Sequence, residues 1–149
     1  MITQFKKFRS KNRNLYKIVY RGCRIPDSKL YNGMFFSEDS EYAKVFGNFV
    51  EKYKIKIGKV LNLNKYNDIC KKQIPDYYYY IGLPFIMHKN NIMNKWDIVM
   101  DSLYINNLED VAKEFQKELE ECNTIYGKDA GDNETKVWFV KNKDDVEKL

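Results

Sequence analysis

Tyr16-Lys-Ile-Val-Tyr-Arg-Gly-Cys-Arg24, a polar link, and then Gly33-Met-Phe-Phe-Ser-Glu-Asp-Ser-Glu-Tyr-Ala-Lys-Val-Phe-Gly47 form the stretch on which the fold turns. Leu15 to Tyr20 is rich in β-formers and alternates weakly, which reads as a strand ending at Arg21-Gly22. Gly22 lets the backbone turn or approach a ligand closely. Pro26-Asp27-Ser28 and Asn32-Gly33 are turn chemistry, and Met34-Phe35-Phe36 is a second short strand ending at Ser37. Asp39 or Ser37 caps the next helix, with Glu38 and Glu41 in its first turn, where the helix dipole favours acids. Tyr42, Val45 and Phe46 fall on one helix face, and Gly47 closes the helix as a left-handed C-terminal residue. This order places a cation, a glycine and a hydroxyl at the C-terminal ends of two strands. Polar groups gather there without spoiling a core.

Composition frames that stretch. A chain of 149 residues, 44% apolar and 32% charged, fits one globular domain, and such a chain buries about 70% of its unfolded surface. The three cysteines, Cys23, Cys70 and Cys122, are far apart and no pair has CxxC spacing. Neither a zinc site nor a disulfide framework is indicated, and reduced, partly buried thiols of a cytosolic protein are expected. The net charge of +5 is uneven. Met1 to Pro26 carries Lys6, Lys7, Arg9, Lys11, Arg13, Lys17, Arg21 and Arg24 and no acid, whereas Glu109 to Glu121 is acidic. A basic N-terminal arm over residues 1–14 suits an anionic partner such as nucleic acid, a nucleotide or an acidic protein face; it is equally read as a solvated terminus. The start has no apolar run of the signal-peptide kind, and Tyr77 to Met87, the longest apolar patch, is broken by Gly82 and Pro84. A cytoplasmic protein without a membrane partner is the expectation.

Outward from the opening stretch, Phe49 to Ile57 alternates cleanly. Phe49, Glu51, Tyr53, Ile55 and Ile57 lie on one side and Val50, Lys52, Lys54 and Lys56 on the other, as in a half-exposed strand. Gly58 breaks it, and Val60 to Leu63 is another strand. Asn64 to Asn94 shows no clear period, and Trp96 to Met100 is a short strand or a helix start. Asn107 caps the clearest helix, in which Leu108, Val111, Ala112, Phe115, Leu119 and Cys122 form one apolar face. Thr124 to Gly127 leads into a turn-rich segment ending Asp132-Asn133-Glu134, and Val137-Trp138-Phe139-Val140 is a central strand. Lys141 to Leu149 is a polar tail with one helical turn from Asp144. No repeat or linker divides the chain, so residues 1–149 form a single α+β domain.

The chain has no Walker loop, GxSxG, HExxH or GxGxxG. Its one histidine, His88, lies in the segment without a period, which argues against Ser-His-Asp or Cys-His catalysis. What remains is three strand-end groups: Arg21-Gly22, Phe36-Ser37 and Asp132-Asn133-Glu134. The pattern aromatic-Arg-Gly, then Phe-Phe-Ser-x-Asp-x-x-Tyr-Ala-x-x-Phe-Gly, then acid-x-Glu before an apolar strand, resembles the ADP-ribosyltransferase fold. More narrowly it resembles the small single-domain members of phages and mobile elements, including the anti-CRISPR ADP-ribosyltransferases. The resemblance covers residues 16–63 and 124–149.

That resemblance implies a mixed β core of two small sheets forming an NAD cleft, flanked by helices. It implies Arg21 as the residue holding NAD through phosphates or ribose, a task suited to a planar, permanently charged guanidinium. It implies Gly22 and Ser37 in the cleft, Tyr42 stacking on nicotinamide, Glu134 as the catalytic acid on a ribose hydroxyl, and Asp132 as the upstream acid facing the target. The chain departs from the family at Ser37-Glu38-Asp39, where Arg-type members read Ser-Thr-Ser, and at its Asp-x-Glu pair; the register also leaves Asp132 open as the catalytic acid. Breaking the nicotinamide–ribose bond builds positive charge on the sugar, and a fixed carboxylate stabilises that state more than the ground state. No metal is needed.

The expected activity is mono-ADP-ribosylation of a host protein or nucleic acid by an effector that inhibits host defence. The alternative is a binding protein with a degenerate form of the same fold, holding nucleic acid or blocking a partner through its basic arm. Each residue also has a plainer reading. Arg21 is one more cation of the arm, Ser37 a helix cap, Tyr42 a core residue, and Asp132-Asn133-Glu134 a hairpin turn.

Overall fold

A computed structural model of the chain describes residues 15–73, 103–128 and 134–149. Its organising element is the alternating strand. In β3 (Phe49–Lys56), Tyr53 and Ile55 are fully buried while Lys52 is exposed, the two-faced pattern that period-2 side chains impose. Before it come β1 (Tyr16–Cys23), β2 (Met34–Ser37), and α1 (Ser40–Ala43), a single turn that runs on into a 3-10 turn (Lys44–Phe46). After it come β4 (Val60–Asn62), α2 (Leu63–Gln73), α3 (Glu109–Glu121), β5 (Thr124–Lys128), β6 (Lys136–Val140), a 3-10 turn (Lys143–Asp145) and β7 (Val146–Lys148).

The strands make one mixed seven-stranded sheet in the order β4-β5-β6-β2-β1-β3-β7. Only β4–β5 is parallel. The α+β class holds, but the two small sheets expected are joined into one. The join is narrow: β1 and β2 register at a single pair, Tyr20 with Ser37, whereas β1 and β3 register over their whole length. The sheet therefore divides into a β4-β5-β6-β2 half and a β1-β3-β7 half. The Lys17–Glu38 ion pair, 3.2 Å, is a second tie across the division.

Both faces of β6 are buried, which explains its unbroken apolar run. Val137 and Phe139 face one core with Leu61, Ile125, Leu63, Tyr66, Cys70 and, from α3, Ala112 and Phe115. Trp138 and Val140 face the other with Val19, Met34, Phe36, Tyr53, Ile55 and Val146. The apolar face read for the 109–121 helix is the one buried, although Leu108 occupies the N-cap, and Asn107 sits before it at φ 60.

Several local expectations change. Residues 124–128 and 146–148, expected as a lead-in and a tail, are strands, and the helical turn starts at Lys143. The fourth strand stops at Asn62, and α2 emerges from the segment without a clear period. Asp39, not Ser37, caps α1, accepting hydrogen bonds from the Glu41 and Tyr42 amides. Val45 and Phe46 are exposed, because the helix gives way to a 3-10 turn, although Phe46 keeps an edge contact with the Tyr42 ring. Gly47 has φ 165, extended rather than left-handed. It is needed for space, since a Cβ there would lie 2.3 Å from the Cys23 carbonyl.

Candidate functional site

The strand-end residues meet where β1 and β2 part. A pocket of about 260 Å³ is lined by Tyr20, Arg21 and Gly22 from β1, Phe35, Phe36 and Ser37 from β2, and Val137 from β6, together with Tyr31, Ala43 and Phe46. The single registered pair, Tyr20 with Ser37, lies in its wall.

Arg21 is its charged group. Nη2 donates to the Tyr31 hydroxyl at 2.6 Å and Nη1 to the Phe35 carbonyl at 3.5 Å. The guanidinium carbon also lies 5.1 Å from the centroid of the Tyr31 ring, which stacks beneath it. Nε is buried and has no hydrogen-bond partner among the described residues. No described carboxylate is within ion-pair distance of Arg21. A held guanidinium without a counter-charge suits an anionic or oxygen-rich ligand.

Gly22 lines the pocket and has a separate packing reason to be glycine. A Cβ would lie 1.9 Å from the Ala43 carbonyl oxygen, so α1 rests backbone-on-backbone against β1. Ser37 is buried, and its hydroxyl donates to the Asp39 carbonyl at 3.0 Å and accepts from the Asp39 amide at 2.9 Å. It fixes the β2–α1 corner from within the pocket wall. Tyr42 is not among the lining residues. Its ring meets Phe46 edge-on at 5.8 Å, and the aromatic residues that line the pocket are Tyr20, Tyr31, Phe35, Phe36 and Phe46. Glu134 is exposed and enters the chain just before β6, three residues from the pocket-lining Val137. Asp132, the N-terminal arm, His88 and Trp96 lie outside the described residues.

A second polar cluster sits on the same face of the sheet as Arg21, across the β1–β3 register, where Arg21 opposes Glu51. Glu51 accepts from Ser28 Oγ at 2.6 Å, Cys23 Sγ at 3.0 Å and Tyr53 OH at 3.2 Å, and it pairs with Lys148. Burial pushes its carboxyl up, but the hydrogen bonds from Cys23, Lys148, Ser28 and Tyr53 outweigh that and hold it down at about 2. Burial and the Glu51 hydrogen bond raise the Cys23 thiol, so it is not an activated nucleophile. The sequence signal for this cluster is an acid at an inward position of a clean alternation, and sequence reasoning alone gives it no role. Cys23, Cys70 and Cys122 are all buried.

Among the described residues no group of acids, histidine and cysteines could hold a metal ion, and no helix is long and apolar enough to cross a membrane. The class defined so far is an α+β domain with a split mixed sheet and a cationic pocket at the split. No protein-family model and no curated protein match the chain. Among solved structures it is similar to an anti-CRISPR protein known from a crystal structure, at 14% identity and a TM-score of 0.41, over 92% of this chain and 98% of that one. That likeness is distant.

Proposed function

We propose that the chain is a small mono-ADP-ribosyltransferase that moves ADP-ribose from NAD to a host macromolecule, as a phage or mobile-element effector acting against host defence. One observation supports this above the others. Arg21, Gly22 and Ser37, three of the four residues that the motif resemblance ties to NAD, line one pocket at the split of the sheet, and Arg21 has no acid partner among the described residues. In this reading the split between the two halves of the sheet is the NAD cleft.

The pocket's roughly 260 Å³ is smaller than the ~300–1,000 Å³ of a site that encloses a whole ligand. It takes the nicotinamide-ribose end or a phosphate, and the rest of the dinucleotide lies outside. Arg21 holds a phosphate or ribose oxygen with its fork, kept in place by Tyr31. Rings at Tyr31 and Phe46 flank the base in the role that the resemblance gives to Tyr42. Nicotinamide leaves with the bonding pair of the glycosidic bond, and C1′ of the ribose gains positive charge. A nucleophile of the target attacks C1′, forming the new bond to the ribose, and its proton passes to solvent.

The resemblance gives Glu134 the part of the carboxylate beside that charge and Asp132 the part of the acid that acts toward the target. One ion pair at ~4 Å and an effective dielectric near 20 is worth about 4 kcal/mol. That is almost three decades of rate at ~1.36 kcal/mol per decade.

The test is transfer from labelled NAD in a bacterial lysate. A labelled band is expected with the native chain and none with Glu134→Gln combined with Asp132→Asn. Absence of label, in a folded protein that also fails to bind NAD, would leave the binding-protein reading instead.

A further inference from the structure

Among the described helices, α2 and α3 lie over the β4-β5-β6-β2 half, and α1 rests on β1 at Gly22, one end of the β1–β3 half. On the face that α2 and α3 bury over β4-β5-β6-β2, the β1–β3 half carries a different pattern. Tyr16, Ile18 and Tyr20 stand in register opposite Lys56, Lys54 and Lys52. Tyr16 and Ile18 are 52% and 41% exposed. Lys54 Nζ lies 4.5 Å from the centroid of the Tyr16 ring, a diagonal approach that holds a cation and an aromatic side by side.

Lysines in no ion pair are common among the described residues, Lys59, Lys71, Lys113 and Lys128 among them; what sets this row apart is its alignment at alternate positions of one strand beside the Tyr16 ring. Lys17, Lys44, Lys65 and Lys148 each have a carboxylate partner. Lys52, Lys54 and Lys56 are in no ion pair among the described residues, although Glu147 lies beside Lys54 in the β3–β7 register. Three like charges at every second position of one strand repel one another, which a polyanion relieves. The chain leading into β1 adds Lys6, Lys7, Arg9, Lys11 and Arg13 without an acid. At its other end the row reaches Tyr20, which lines the pocket.

We propose that this β1–β3 face binds single-stranded nucleic acid, with phosphates along the Lys52-Lys54-Lys56 row and a base stacked on Tyr16. A cation row beside exposed aromatic rings is the combination that single strands use, because every base has a π-face and every linkage a charge. An acidic protein would satisfy the lysines but has no use for a stacking platform. The site is independent of transferase activity and stands or falls separately from it.

The experiment is fluorescence anisotropy of labelled oligo-dT and oligo-U, about 20 nucleotides long, against the full chain in a salt series. Duplex of equal length and poly-glutamate serve as competitors. Single strands should bind better than duplex. Lys52→Gln/Lys54→Gln/Lys56→Gln should weaken binding and reduce the log–log salt slope by about 2, at ~0.7 for each phosphate no longer neutralised. Tyr16→Ala should weaken it about tenfold, and Tyr16→Phe should not. Thermal melts check that each variant folds; Lys52→Gln/Lys56→Gln, which leaves Lys54 on Tyr16, replaces the triple variant if that one does not. Affinity unchanged in the lysine and Tyr16→Ala variants would overturn the proposal, as would loss only on deleting residues 1–13. Competition by poly-glutamate equal to that of the single strand would overturn it in favour of an acidic protein partner.

Discussion

Glu51 shows how a single residue can tie distant parts of this chain together. Its partners come from β1, the following turn, its own strand and the last strand: Cys23, Ser28, Tyr53 and Lys148. The folded state holds its carboxyl at about 2, below the ordinary 4.5 of the unfolded chain. A depressed pKa means that folding excludes the proton, so this stabilisation is fully present above about pH 4.5 and is lost as pH falls towards 2. Urea midpoints measured from neutral pH down through that window should fall steeply for the native chain. In Glu51→Gln the midpoint should be lower at neutral pH, and the gap to the native chain should close at the acid end. A constant gap would contradict the account. The cluster is hard to read in sequence because its members run from Cys23 to Lys148 and only Glu51 breaks a pattern. Arg21, Gly22 and Ser37 are legible because strand ends follow from local alternation and turn residues, without any long-range information. Tyr31 escapes notice because nothing local marks a turn tyrosine as the support of an arginine.

At the level of elements, legibility follows periodicity. β3 and α3 have long, regular patterns that give their buried faces correctly. β7 is three residues long and polar on two of them, so only its pairing with β3 makes it a strand. The same holds for β5, whose Thr-Ile-Tyr-Gly-Lys becomes a strand by lying between β4 and β6. α1 departs from expectation beyond its first turn because the change to 3-10 geometry leaves no sequence period to detect. β7 also carries a consequence for stability. It covers the outer edge of β3, buries Val146 and brings Lys148 to Glu51. Ending the chain after Asp145 should lower the melting midpoint by roughly 5 °C or more, since burial of one valine is worth about 1.5–3 kcal/mol. The bared β3 edge should also increase light scattering on heating. An unchanged midpoint would show that β7 is dispensable.

For the whole molecule, the decisive feature is the division of one sheet into two halves joined at a single registered strand pair. The α+β class and the central place of Val137 to Val140 can be read from sequence; the join between the halves cannot, because strand order is a long-range property. The division creates the pocket, and it places Arg21 in the wall with its charge unpaired among the described residues. The central claim is that this pocket takes the nicotinamide-ribose end or a phosphate of NAD. Ligand-observed NMR of NAD, with the native chain and with Arg21→Lys, tests it most directly. The account predicts saturation transfer to NAD protons with the native chain, and its loss with Arg21→Lys, which keeps the charge but not the fork. Equal transfer with both proteins, or none with the folded native chain, would contradict it.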